Sequence, residues 1–198
     1  MNPAQIRIEV LRQGMLEGFR SLFEASHCGC FCRYWHFDGT RNEWLERTAL
    51  RPEESLAEQA SDVAATDPRG RGLLALRGDM AVGWMKLAPR SALVKLRNQG
   101  AYRPLDLGPD DGAFSIGCFL IHPEHRRTGV AAALLAAAPA HARAWGARTL
   151  EAYPLRSEAA LHDEQAFMGP EALYRRAGFE PVHDTGPYPV YRLALLGG

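Results

Sequence analysis

Between residues 113 and 153 the chain leaves an apolar, strand-forming segment and passes through the polar turn His122-Pro123-Glu124-His125-Arg126-Arg127-Thr128. It then enters an alanine-rich run that begins at Gly129 and reaches a second short apolar segment at 149–153. A strand, a helix over 129–145 and a strand in that order imply a parallel crossover, because parallel neighbours need a connection long enough to recross the sheet. That unit restricts the chain to architectures in which helices pack on a sheet. Pro139 lies inside the helix and removes one of its backbone hydrogen bonds.

The flanking segments predict antiparallel strands and short helices. Ile6, Ile8 and Val10 alternate with Arg7 and Glu9, an opening strand with one buried face. Met15, Phe19, Leu22 and Phe23 recur at helical spacing and predict a helix over 13–25. Two helical pieces are expected between 41 and 65, with Pro52 suited to a first-turn position. Segments 73–77 and 80–88 flank Gly78-Asp79, a pair suited to a two-residue hairpin turn. A short helix is expected around 92–98, with a wall of the molecule beyond it. Gly169-Pro170-Glu171 opens a helix of about two turns that Gly178 can terminate, and 179–183 with 188–195 predict a final antiparallel pair. At 198 residues, one domain is expected over 1–198.

Composition narrows the functional classes. Lys plus Arg and Asp plus Glu both total 23, so no net field draws in a phosphate backbone or an anionic lipid surface, and neither nucleic acid nor membrane is an expected partner. The longest apolar run, 130–140, is too short to cross a bilayer. Met1-Asn2-Pro3-Ala4-Gln5 has neither a basic nor an apolar leader segment, which points to the cytoplasm and to Cys28, Cys30, Cys32 and Cys118 as thiols.

The turn at 122–128 carries the chemistry. A strand-to-helix corner aims several backbone N–H groups and the positive end of the helix dipole at one point, where an anion belongs. Gly129 and Ala131 are small enough for close approach, and Arg126 and Arg127 can add charge-assisted hydrogen bonds. About forty residues on stands Ala172-Leu173-Tyr174-Arg175-Arg176-Ala177-Gly178-Phe179. Together, Arg126-x-x-Gly129-x-Ala131 and Tyr174-x-x-x-Gly178-Phe179 resemble the two motifs of the GNAT superfamily of acyl-CoA-dependent N-acetyltransferases, in the right order and on the right elements. The resemblance covers 72–195, the cofactor-binding core, and the strand and helix within 6–25 fit the family's opening; residues 1–70 would supply that strand and the acceptor-side helices.

The resemblance implies a mixed, mostly antiparallel seven-stranded sheet of α/β (α+β) class, with helices on both faces and a central parallel pair splayed to admit coenzyme A. It implies acetyl-CoA as acyl donor, with its pyrophosphate on the backbone of Arg127, Thr128, Gly129, Val130 and Ala131 and the Arg126 side chain nearby. Pantetheine would run along Phe119, Leu120 and Ile121. No metal is implied. The reaction would be acetylation of a primary amine on a small molecule or peptide, by a monomer or homodimer. Tyr174 matches the family position of the group that protonates the departing sulfur, although a core aromatic on a short amphipathic helix would look the same.

The general base is less legible. Ser115 and Gly117, where relatives often carry Glu or His, cannot take a proton. Glu151 on the next strand is the best carboxylate, equally readable as a solvated strand residue, and His122 and His125 read as capping or surface groups. The acceptor pocket is expected from Cys30, Arg33, Tyr34, Trp35, Trp84 and Ser115, the first four lying in the dense stretch after the first helix. Cys28, Cys30 and Cys32 alternate, so an extended segment would project them to one side, which is poor spacing for structural zinc. Simple alternation puts Cys118 on the face opposite Ser115, as a core thiol. Two other readings stay open: an acyl-CoA sensor without chemistry, favoured by the missing strand base, and a metal or redox role for the thiols.

Overall fold

The computed structural model describes residues 5–157, 166–184 and 186–195. Strands β1 (Ile6–Val10), β2 (Gly72–Arg77), β3 (Met80–Pro89), β4 (Ala113–Ile121), β5 (Thr149–Ala152), β6 (Glu180–His183) and β7 (Val190–Ala194) form one seven-stranded sheet in the order β1-β2-β3-β4-β5-β7-β6. Five of its six neighbouring pairs are antiparallel and β4–β5 is parallel. Gly78-Asp79 makes the β2–β3 hairpin, as its residue types predict.

The helices are α1 (Leu16–Ala25), α2 (Arg41–Leu50), α3 (Pro52–Ala64), α4 (Val94–Arg97), α5 (Val130–Ala144) and α6 (Glu171–Arg176). Phe19, Leu22 and Phe23 supply the buried stripe by which α1 sits on β3 and β4. Thr40 and Glu43 form a reciprocal capping box that starts α2, and Pro52 stands in the first turn of α3. On the other face α5 buries Val130, Leu134, Leu135, Ala138 and Ala142 against β1 to β4 and runs through Pro139. The largest core lies between α5, α6 and the sheet; a second lies between the sheet and α1, and a third under Trp35, Tyr102 and Tyr153.

Two features depart from the sequence reading, and both position the site. The segment 28–32 is a succession of turns, not an extended run: His27, Phe31 and Cys32 all have positive φ (+50°, +40° and +60°). The alternation that would project its cysteines to one side is therefore absent. In β4, Met85 faces Phe119 while Leu87 faces Ile116, so Lys86 alone opposes Gly117 and Cys118. This β-bulge adds one residue to the strand and resets its alternation. Cys118 accordingly turns towards α1, joining Cys32 and Trp84, and Phe119 returns to the α5 side.

Candidate active site

The corner at the start of α5 has the geometry of an anion cradle. After a single 3-10 turn at Pro123–His125, Arg127 and Gly129 both adopt left-handed backbone (φ +59° and +86°). A non-glycine residue held there is a strained conformation of the kind that clusters at binding sites. Gly129 is the N-cap of α5, with no side chain capping the helix, and a Cβ built on it meets nothing within 4 Å. The first bond of the helix runs from the Ala133 N–H to the Gly129 carbonyl (2.9 Å), which leaves the preceding N–H groups as the unsatisfied donors of a helix start. Thr128 donates to the His125 carbonyl (2.7 Å) and accepts from Arg77 (3.2 Å), bracing the turn from β2.

Beside this corner the parallel strands part. β4 and β5 are paired from Ala113/Thr149 to Ser115/Glu151 and no further, so Phe119, Leu120 and Ile121 lie beyond the point of separation. Tyr174 is fully buried there, 6.4 Å from the Phe119 ring, and its hydroxyl donates to the Met168 carbonyl at 2.6 Å. Burial pushes its phenol well above the ordinary range, so the proton stays on oxygen and available for donation. Gly169 sits between Tyr174 and Phe119: an added Cβ would lie 3.1 Å from the Tyr174 hydroxyl and 3.3 Å from the Phe119 ring.

Glu151 is not disposed as a base. Its side chain is completely enclosed; Oε1 accepts from Arg90 (2.9 Å) and Arg192 (2.6 and 3.1 Å), and Oε2 from Tyr153 (2.7 Å). Both carboxylate oxygens are occupied by protein donors, so the group anchors two guanidinium groups. Ser115 is equally enclosed, 3.1 Å from the Tyr153 hydroxyl in the same network. It therefore braces the strand and presents no surface to an acceptor.

The other acceptor-side residues divide by accessibility. Trp84 is fully buried in the core under α1, edge-on to Phe19 at 4.9 Å. Arg33 is also enclosed, paired with Asp62 (2.8 Å) and bonded to Gln59 (3.3 Å), which ties the loop to α3. Trp35 is buried with its indole N–H on the Gly117 carbonyl (3.0 Å), so the loop grips the β4 bulge directly. Tyr34 and Cys30 are only partly buried. A cavity of about 300 Å³ opens beside this loop between Arg33, His36, Glu58, Ser61, Asp62 and Arg69.

Lys86 is a residue that the sequence reading passed over, whereas His36 belongs to the dense stretch after the first helix and was also a candidate metal ligand beside the cysteines. Lys86 is fully buried at the bulge, where its ammonium donates to the Arg69 carbonyl, and burial brings it down to about 8. Its signal was a lone cation inside an otherwise apolar strand. His36 accompanies Trp35; burial and then the charges of Lys86 and Arg33 lower it to about 2, leaving a neutral ring held by the Ala92 carbonyl (2.7 Å). Among the described residues no group of three or more His, Cys, Asp or Glu side chains is arranged to hold a metal ion, and no helix is long and apolar enough to cross a membrane.

The site thus combines a mixed sheet whose parallel pair parts after Ser115/Glu151 with an uncapped helix start. The chain belongs to the acetyltransferase (GNAT) family, whose model matches residues 34–179. Its fold is shared with an N-acetyltransferase from Staphylococcus aureus Mu50, at 14% identity and a TM-score of 0.55 over 97% of this chain and 99% of that one. It is likewise similar to the PaiA N-acetyltransferase of Thermoplasma acidophilum, solved in complex with coenzyme A (13% identity, TM-score 0.55, 96% and 99% covered). The putative acetyltransferase YncA of Salmonella typhimurium, solved with acetyl-CoA, is a third (14%, TM-score 0.54, 98% and 95%). No curated protein matches the sequence. The chain is thus an N-acetyltransferase of the acyl-transfer class, and its motifs 126–131 and 174–179 fall within the matched region.

Proposed function

We propose that the chain transfers the acetyl group of acetyl-CoA to a primary amine on a small molecule or peptide. The observation that carries this reading is the uncapped, left-handed corner at Arg127–Gly129 standing beside the gap where β4 and β5 separate. The residues fit the donor's pyrophosphate: Arg127, Thr128, Gly129, Val130 and Ala131 would hold it through backbone N–H groups, with Arg126 beside it. Bound there, acetyl-CoA supplies an activated thioester.

The chain's own groups then have separable tasks. Backbone of Phe119, Leu120 and Ile121 aligns the donor and provides an N–H for the carbonyl oxygen. Tyr174 gives its proton to the departing sulfur, exchanging the Met168 carbonyl for that partner. Trp35 holds the bulge in register through the Gly117 carbonyl. With Glu151 committed to Arg90 and Arg192, no carboxylate on β5 takes the amine's proton, and water leading from the 300 Å³ cavity is the proposed route.

Calorimetric titration with acetyl-CoA, followed by thiol-release assays over a panel of amines, tests this. Saturable binding with amine-dependent release of coenzyme A is expected. Binding without release under any amine would favour a sensor, and no binding would overturn both.

A further inference from the structure

We propose that Cys28 and Cys30 are a site of reversible oxidation, closing to an intramolecular disulfide when the chain meets hydrogen peroxide or an organic peroxide. Their sulfurs lie 3.3 Å apart and both residues are partly exposed, so a peroxide can reach one and the other can answer. The surrounding loop enforces this approach. His27, Phe31 and Cys32 hold left-handed backbone, and Gly29 is pressed so closely on the α2–α3 corner that a Cβ would lie 2.6 Å from the Thr48 carbonyl oxygen. Only glycine fits between the two cysteines.

The pair is electronically asymmetric. The hydrogen bond shared with the Cys30 thiol foremost, and the Cys30 backbone N–H more weakly, bring Cys28 down to about 7 against the upward push of burial. Cys30 is pushed up by that same hydrogen bond and by burial, and so remains a thiol. One sulfur is an attacking thiolate and its neighbour a protonated resolving group. Cys32 and Cys118 interact with each other further inside, beside Lys86.

The chemistry balances. The Cys28 thiolate attacks the terminal peroxide oxygen; the O–O bond breaks, the other oxygen leaves as hydroxide (or as alkoxide from an organic peroxide) and takes a proton to become water (or an alcohol), and Cys28 becomes a sulfenic acid. The Cys30 sulfur then attacks the Cys28 sulfur, forming S–S and breaking S–O. The expelled oxygen leaves as water, carrying the Cys30 proton. Two thiols are oxidised and one peroxide is reduced; any small dithiol reverses the reaction. The loop concerned leads directly to Arg33 and to Trp35, which grips the β4 bulge, so its closure acts on the acceptor wall. The pair's oxidation does not depend on acetyl transfer, and its test is covalent.

The test is peroxide treatment of the purified full chain, alkylation of remaining thiols, and fragment mass spectrometry of the peptide carrying residues 28–32. The expected product has lost two hydrogens and two alkylatable thiols, with the link between 28 and 30, and dithiol restores both. Before oxidation Cys28 should be alkylated about threefold faster at pH 7 than a small free thiol, its larger thiolate fraction outweighing its lower nucleophilicity. Cys28→Ser or Cys30→Ser should abolish the link and Cys32→Ser should keep it. The wild-type fragment map locates the link even where a variant fails to fold. A link to Cys32 or Cys118, full alkylation after peroxide, or thiols masked by tightly held zinc until a chelator is added would each overturn the proposal.

Discussion

The role proposed for Tyr174 gives its hydroxyl two partners that cannot be satisfied at once: the Met168 carbonyl, to which it donates in this structure, and the sulfur it would protonate. Tyr174→Phe separates them. Steady-state kinetics should show kcat falling about 100-fold, the lower end of general acid contributions, with KM for acetyl-CoA little changed. Loss of the donor to Met168 should cost about 1 kcal/mol in chemical denaturation. Gly129→Val tests the cradle: its φ of +86° penalises a Cβ by about 1–2 kcal/mol, although the space is open, so the damage is to the backbone shape the donor meets. The expected outcome is a tenfold rise in KM for acetyl-CoA, which corresponds to about 1.4 kcal/mol, with kcat nearly preserved. Both positions could be singled out in the sequence because each motif is contiguous, and these variants test the roles proposed for them. Trp84 and Ser115, expected at the acceptor pocket, are fully buried, since whether a strand residue meets solvent depends on which helix or loop covers that face.

At the level of elements, α6 is fastened by its first residue. Glu171 accepts from Arg156 (2.9 Å), Arg175 (2.9 Å) and the Tyr191 hydroxyl, joining the helix to β7 and to the segment after β5. The Arg156 hydrogen bond foremost, with help from Tyr191 and Arg175, lowers its carboxyl to about 2. A folded-state value below the unfolded one, about 4.3, means this contribution is fully present above pH 4.3 and is lost as pH falls towards 2. Urea midpoints measured across that window should decline for the wild type and decline less for Glu171→Gln, which starts lower at neutral pH. The start of α6 was readable from Gly169-Pro170-Glu171. The bulge at Gly117–Cys118 was not, because an extra residue opposite Lys86 is defined by the partner strand and leaves no local mark.

Across the whole molecule, the buried network around Glu151 joins parts of the chain that are remote in sequence. Arg90 at the end of β3 meets Glu151 on β5, Asp110 before β4 (2.7 Å) and the Leu107 and Gly108 carbonyls, while Arg192 on β7 meets Glu151 and Leu107. Glu151→Ala leaves two guanidinium groups facing an uncharged side chain, and equilibrium unfolding should show a loss of about 3–5 kcal/mol. The folded fraction of Glu151→Gln should keep the wild-type shape of its pH–rate profile; loss of an ionising limb would restore Glu151 as the base. Strand and helix periodicities, the hairpin turn, and the corner at 126–131 were determined by the sequence alone, because each depends on residues within a few positions of one another. Which charged side chain is enclosed as an anchor, which thiols meet, and where a strand changes face were decided only by tertiary structure. Those outcomes follow largely from partners distant in sequence, such as Lys86 opposite Gly117, Arg90 with Glu151 and Cys32 beside Cys118, whose approach sets burial, hydrogen bonding and register.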